Sequence, residues 1–196
     1  MNEYIEKYGH YFQSRWVWHL DQLTKEQKLD HATARERAVK EFAWAVPSPL
    51  AIKTIAKYSP IVEIGAGTGY WAYLLEQASA QVVCYDIAEP TTSYVKIKKG
   101  GPEVLRDYAT HTLFLCWPPY DNHMAFNCLR YYKGNYVIYI GEGYGGCTAD
   151  DDFHRELDGQ FKCILTVQIP QWEGIHDVCR IDRARRKDVR KAARAI

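Results

Sequence analysis

The chain has 196 residues, 25 Lys and Arg against 24 Asp and Glu, a formal net charge of +1, and 47% apolar side chains. That is enough for one well-buried core and too little for two full domains. No run approaches 18 apolar residues, and the opening Met1-Asn2-Glu3-Tyr4-Ile5-Glu6-Lys7 has neither a secretory nor a transit layout, so a cytoplasmic protein with no membrane partner is expected.

Roughly the first sixty residues read as helical. Segments near 3–13, 14–29 and 31–45 set Lys, Glu, Gln and Ala between aromatic positions such as Tyr4, Tyr8, Tyr11, Trp16 and Trp44. This amphipathic layout suits a cap over a second layer, and residues 1–46 are expected to form that extension. Pro47 and Pro49 interrupt it, and Ser48 is placed to N-cap a helix running through Leu50, Ala51, Ile52, Ile55 and Ala56.

The most informative stretch follows. Ile61-Val62-Glu63-Ile64 reads as a buried strand, and Gly65-Ala66-Gly67-Thr68-Gly69 as a tight turn into a helix opening at Tyr70-Trp71. Such a turn lets backbone approach a ligand closely, and the helix start directs unpaired N–H groups toward it. Gln81 to Asp86 reads as the next strand, ending in a carboxylate able to accept from two ribose hydroxyls.

An open α/β sheet continues from there. Tyr94–Ile97 is a weak third strand, 102–108 a short helix, and Thr112–Cys116 a strong fourth strand; a helix near 122–132 then precedes strand five at Tyr136–Ile140. A helix near 151–157 leads to two late strands, Cys163–Val167 and Asp177–Ile181. These lie about ten residues apart around Gly174, a spacing that suits antiparallel pairing. Residues 47–182 are expected to hold this domain.

The six cysteines, at 84, 116, 128, 147, 163 and 179, include no C-x-x-C pair and no zinc-ligand spacing. Small thiols in a reducing compartment are expected, with no metal. From Arg180 onward eight basic residues face Asp182 and Asp188, a local charge of +6 that leaves −5 for the rest. The tail, residues 183–196, is thus the one segment suited to nucleic-acid phosphates, though a solvated charge run has the same composition.

Glycine spacing separates two ligand classes. A dinucleotide fingerprint would place its third glycine at position 70, which is Tyr70; the pattern is instead E-x-G-x-G-x-G. Together with Asp86, this stretch resembles motif I of the class I S-adenosylmethionine-dependent methyltransferases. The resemblance implies S-adenosylmethionine as cofactor and a Rossmann-like sheet of order 3-2-1-4-5-7-6 with strand 7 antiparallel. It also implies that Gly65, Ala66, Gly67 and Gly69 wrap the methionine moiety, Glu63 braces the loop, Asp86 holds the ribose and Ile87 flanks adenine.

Strand four ends in Trp117-Pro118-Pro119-Tyr120, which resembles the Asn/Asp-Pro-Pro-aromatic tetrad of amino-methyltransferases. In that family the first side chain and a backbone carbonyl accept from the target amine, and the aromatic stacks on a planar substrate. Trp117 departs from the pattern: an indole donates one hydrogen bond and accepts none. The carbonyl of Trp117 or Pro118 could still accept, and Trp117, Pro118 and Tyr120 are expected to line an acceptor slot. Upstream, the Trp44-containing segment Phe42–Pro49 resembles the aromatic-Pro motif X, implying closure over the methionine end. Glu142, at the end of strand five, is a candidate general base or substrate anchor; a loop carboxylate is the plainer alternative. His10, His123 and His176 have no partner fixed by spacing.

The expected function is methyl transfer to a planar small-molecule or nucleobase-like acceptor, where the protein orients the acceptor atom and removes its proton. The alternatives are a nucleic-acid base methyltransferase using the basic tail, and a non-catalytic cofactor-binding subunit.

Overall fold

The computed structural model describes residues 2–12, 24–88 and 90–185. Part of the expected 14–29 helix, including Trp16, lies outside these, as does the tail from 186 onward. Seven strands form one sheet: β1 (Ile61–Ile64), β2 (Val82–Asp86), β3 (Ile97–Lys99), β4 (Thr112–Cys116), β5 (Tyr136–Gly141), β6 (Phe161–Gln168) and β7 (Val178–Ala184). Their order is β3-β2-β1-β4-β5-β7-β6, with β1 to β5 parallel and β7 antiparallel to both neighbours.

Period-two alternation sends side chains to two helical layers. Ile61, Phe114, Ile138 and Ile140 face α3 (Pro49–Ile55) and α4 (Tyr70–Gln77), where they meet Ala51, Ile55, Trp71 and Leu75. Val62, Leu113, Val137 and Tyr139 face the other way. They pack on Ala125 and Leu129 of α5 (Met124–Tyr131) and Phe153 and Leu157 of α6 (Asp151–Gln160). With helices on both faces, β1 and β5 read as near-continuous apolar runs.

The N-terminal extension forms α1 (Glu3–Tyr8), a 3-10 turn over Gly9–Tyr11, and α2 (Lys25–Glu41). Thr24 and Gln27 close a capping box at the start of α2: the Thr24 hydroxyl accepts from Gln27 N–H at 3.2 Å, and Thr24 N–H donates to the Gln27 side chain at 2.9 Å. The α1–α2 pair buries Tyr4, Tyr8 and Phe42 in an aromatic cluster with Tyr70 of α4 and Trp172 of the β6–β7 connection. Tyr4 joins three segments: its N–H donates to the Tyr70 hydroxyl, its own hydroxyl donates to Ala43 O, and Trp172 Nε1 donates to that hydroxyl.

Several elements differ from expectation. The third strand lies at Ile97–Lys99 rather than at 94–97, because Tyr94 is held by the aromatic cap: its N–H donates to Thr68 O and its ring stacks on Phe42. The short helix at Pro102–Asp107 is 3-10 in type. Strand β7 continues to Ala184, so the basic segment begins inside the sheet, with Arg183 opposite Tyr136. All six cysteines are free thiols, Cys84, Cys128 and Cys179 buried and Cys163 exposed on β6.

Candidate functional site

The C-terminal ends of the parallel strands converge where β1 and β4 diverge in chain order, the position at which open α/β sheets hold ligands. From β1, the glycine turn is fixed to β2: Gly65 and Ala66 N–H both donate to Tyr85 O, at 2.9 and 3.1 Å. Gly67 N–H donates to Asp86 Oδ2 at 2.9 Å, and Ala88 N–H to Oδ1 of the same carboxylate at 2.9 Å. Gly67 (φ +54) and Gly69 (φ +72) are left-handed; a Cβ on Gly69 would lie 2.6 Å from Val95, whereas around Gly67 there is nothing within 4 Å. One glycine is needed for packing, the other for its backbone, and the second borders open space.

Glu63 lies beneath this turn, buried, and its Oε2 accepts from the Cys84 thiol at 3.7 Å. Burial, only partly opposed by that hydrogen bond, lifts its carboxyl to about 8. Ile87, just past Asp86, is 73% exposed, an apolar side chain standing free at a strand end.

Trp117 begins the turn after β4 in a left-handed conformation (φ +53), its N–H donating to Ile140 O at 2.8 Å. Its ring stacks on Trp44 at 4.9 Å between centroids and 8° between planes, and Trp44 remains 48% exposed. The guanidinium carbon of Arg35 on α2 lies 5.7 and 5.6 Å from the two ring centroids. Pro118 O accepts from Ala149 N–H at 2.8 Å. Tyr120 is 62% exposed and lines a different cleft of about 410 Å³, together with Gly145, Gly146 and Asp150. The tetrad is therefore divided: the left-handed turn sends Trp117 toward α2, and the two prolines carry Tyr120 toward α6.

Strands β5 and β7 pair Gly141 with Val178, which brings Glu142 and Asp177 together just past the paired ends. Glu142 is well satisfied. Its Oε1 accepts from His176 N–H at 2.8 Å, and its Oε2 from Cys147 N–H at 2.9 Å and from the Cys147 thiol at 3.1 Å. Burial works to raise its pKa, but these donors outweigh it and hold the carboxyl below its ordinary value, which makes Glu142 a weak base and a strong tie between two loops.

Asp177 is the reverse case, and sequence reasoning assigned it no role. It is 2% exposed, Oδ2 accepts from Trp117 Nε1–H at 2.7 Å, and Oδ1 has no partner among the described residues. Burial, opposed by the Trp117 donor, raises it to about 7. The only sequence signal was its position at the start of a strand pairing with β5. Arg35, equally unforeseen, lies four residues after His31 on one face of α2; Arg35 Nε and His31 Nδ1 are buried without hydrogen-bond partners among the described residues. Among those residues, no group of three or more His, Cys, Asp or Glu could hold a metal ion. No helix there is long and apolar enough to cross a membrane.

The sheet order, its antiparallel seventh strand and the glycine turn at the end of β1 define a Rossmann-like methyltransferase fold. Among solved structures, the chain is similar to a candidate tRNA methyltransferase of Streptococcus pneumoniae, with TM-score 0.51, 10% identity, and coverage of 71% of this chain and 70% of that one. It is similar to magnesium protoporphyrin IX methyltransferase of Synechocystis PCC 6803 with bound SAH, with TM-score 0.50, 13% identity, and coverage of 92% and 94%. Human N-acetylserotonin methyltransferase in complex with SAM gives TM-score 0.50 and 12% identity over 93% of this chain and 62% of that one. No family model and no curated protein matches the chain.

Proposed function

We propose that this protein is an S-adenosylmethionine-dependent methyltransferase acting on a planar small-molecule or nucleobase-like acceptor. The observation that carries the reading is the pairing of Gly67 N–H with the Asp86 carboxylate across the ends of β1 and β2. Gly67 borders open space, and the Asp86 oxygens, each holding one backbone donor, keep lone pairs for the hydroxyls of a ribose that enters it. Exposed Ile87 and Trp44 supply apolar surface for adenine and for the methionine end. The fold-level likeness to proteins crystallised with SAH or SAM agrees with this fit.

In this reading, Gly65, Ala66, Gly67 and Gly69 hold the amino-acid end, Glu63 supports the turn from below, and Asp86 takes the ribose hydroxyls. When bound, the cofactor supplies an electrophilic methyl on a sulfonium. The protein's own task is to bring an acceptor atom into line with that methyl and to receive the acceptor's proton. Trp117 and Trp44 offer the stacking surface; Pro118 contributes a carbonyl edge already engaged by Ala149; Tyr120 lies apart, in the cleft beside α6. With Glu142 committed to two loops, the proton acceptor belongs elsewhere in the site.

The test is calorimetric titration with S-adenosylhomocysteine. Wild-type protein binds, and Asp86→Ala binds about 10- to 100-fold more weakly, the value of hydrogen bonds to a charged group. Unchanged affinity in the variant removes the ribose assignment, and no heat from wild type at millimolar ligand removes the methyltransferase reading. Nucleic acid as acceptor is the second partner class, resting on the basic segment 183–196. Salt-dependent RNA or DNA binding that vanishes on deleting those residues would favour it.

A further inference from the structure

Three buried polar atoms lack hydrogen-bond partners among the described residues: Asp177 Oδ1, Arg35 Nε and His31 Nδ1. Two of these side chains meet at Trp117. Asp177 binds its indole N–H, and the Arg35 guanidinium carbon lies 5.6 Å from its ring centroid. An unpartnered oxygen on an aspartate that is 98% buried is costly and uncommon, and a hydrogen-bond donor brought by a ligand would relieve that cost.

Trp117 occupies the position at which the related tetrad carries an acidic or amide side chain, and it cannot accept a hydrogen bond. The structure brings a carboxylate to the Trp117 indole N–H from another element. Because Gly141 pairs with Val178, Asp177 arrives beside the end of β5 and behind the Trp117 ring, with one oxygen uncommitted.

We propose, building on the methyltransferase reading, that Asp177 and Arg35 recognise the methyl acceptor, a planar molecule that donates an N–H or O–H to Asp177 Oδ1 and presents a carboxylate or carbonyl oxygen to Arg35. Its ring lies against the Trp44–Trp117 pair. The acceptor's proton passes to Oδ1 as its nitrogen or oxygen gains the methyl, and the carbon–sulfur bond pair remains with the departing thioether. A simple amine leaves Arg35 unpaired. A simple carboxylate, lacking a donor, sets like charge against Asp177.

The experiment is calorimetry with saturating S-adenosylhomocysteine, titrating 2-, 3- and 4-aminobenzoate as probes that span the possible donor-to-oxygen separations, with aniline and benzoate as half-probes. At least one aminobenzoate is expected to bind tenfold or more tightly than either half-probe. Asp177→Asn is expected to lose tenfold for that aminobenzoate and to bind benzoate at least as tightly as wild type does. Arg35→Met is expected to lose tenfold for benzoate and to leave aniline unchanged.

S-adenosylhomocysteine affinity, measured first on each variant, reports on folding and on the methyl-donor site apart from the acceptor site. If wild type fails that first titration, the methyltransferase reading falls; if it passes and no aminobenzoate outbinds both half-probes, the recognition pair falls alone. Equal losses for every probe and for S-adenosylhomocysteine in Asp177→Asn would make Asp177 structural. Arg35→Met, on a half-buried position of α2, tests the second half of the pair even if the aspartate variant does not fold.

Discussion

Two carboxylates in this site are pushed in opposite directions by their surroundings. Glu142 receives three donors and stays ionised, whereas Glu63 beneath the glycine turn receives one thiol and is driven toward its neutral form. The consequence for stability is definite in sign. Glu63 keeps its proton in the folded state up to about 8 and loses it near 4.5 when exposed, so its contribution is complete below 4.5 and disappears as pH rises toward 8. Glu63→Gln should flatten that part of the profile, seen as urea midpoints that fall less between pH 5 and pH 8 than those of wild type. The glycines and Asp86 were legible in sequence because spacing alone encodes a turn and a strand end. Asp177 and Arg35 were not, since their meaning comes from a register and a helix face that bring distant positions onto one indole ring.

At the scale of elements, local chemistry was the better guide. Ser48 caps α3 as expected, its hydroxyl accepting from Ala51 N–H at 3.1 Å, and Asp150 caps α6, accepting from Phe153 N–H at 2.7 Å. Ser48→Ala should cost about 1 kcal/mol, measured by urea unfolding, because an N–H at the helix start loses its partner. The third strand was misplaced because Val95 and Ile97 read as apolar alternation, while the determining contact was Tyr94 folding back onto Phe42 and Thr68. The contact with Phe42 spans more than fifty residues, and neither contact leaves a periodic trace. The β5–β7 pairing was anticipated only through the strand order that the family resemblance implied. Its register, which creates the Glu142–Asp177 neighbourhood, emerges only with both strands in place.

Across the whole molecule, the sheet separates two apolar layers, and the aromatic cap is locked to it through Tyr4, Tyr70 and Trp172. The β6–β7 hairpin joins the sheet through β7 alone and carries a fully buried Asp182. Arg180 neutralises that charge, its Nε 3.0 and 2.8 Å from the Asp182 oxygens, and its second arm reaches Asp158 of α6 at 2.6 Å. Arg180→Met should cost about 3–5 kcal/mol of unfolding free energy, because one partner of a buried pair is left uncompensated. Loss of this magnitude, read by chemical denaturation, would identify the hairpin as part of the single cooperative unit.

The parallel indoles of Trp44 and Trp117 also give the protein an optical property. Two indole transition dipoles 4.9 Å apart couple electronically, so the pair should contribute a far-ultraviolet circular dichroism couplet, in the strong indole B band, that isolated tryptophans lack. Trp44→Phe should abolish the couplet while leaving the underlying helix and strand signal intact. Any aromatic guest that tilts one ring against the other would change its amplitude, letting the chain signal occupancy without an added label.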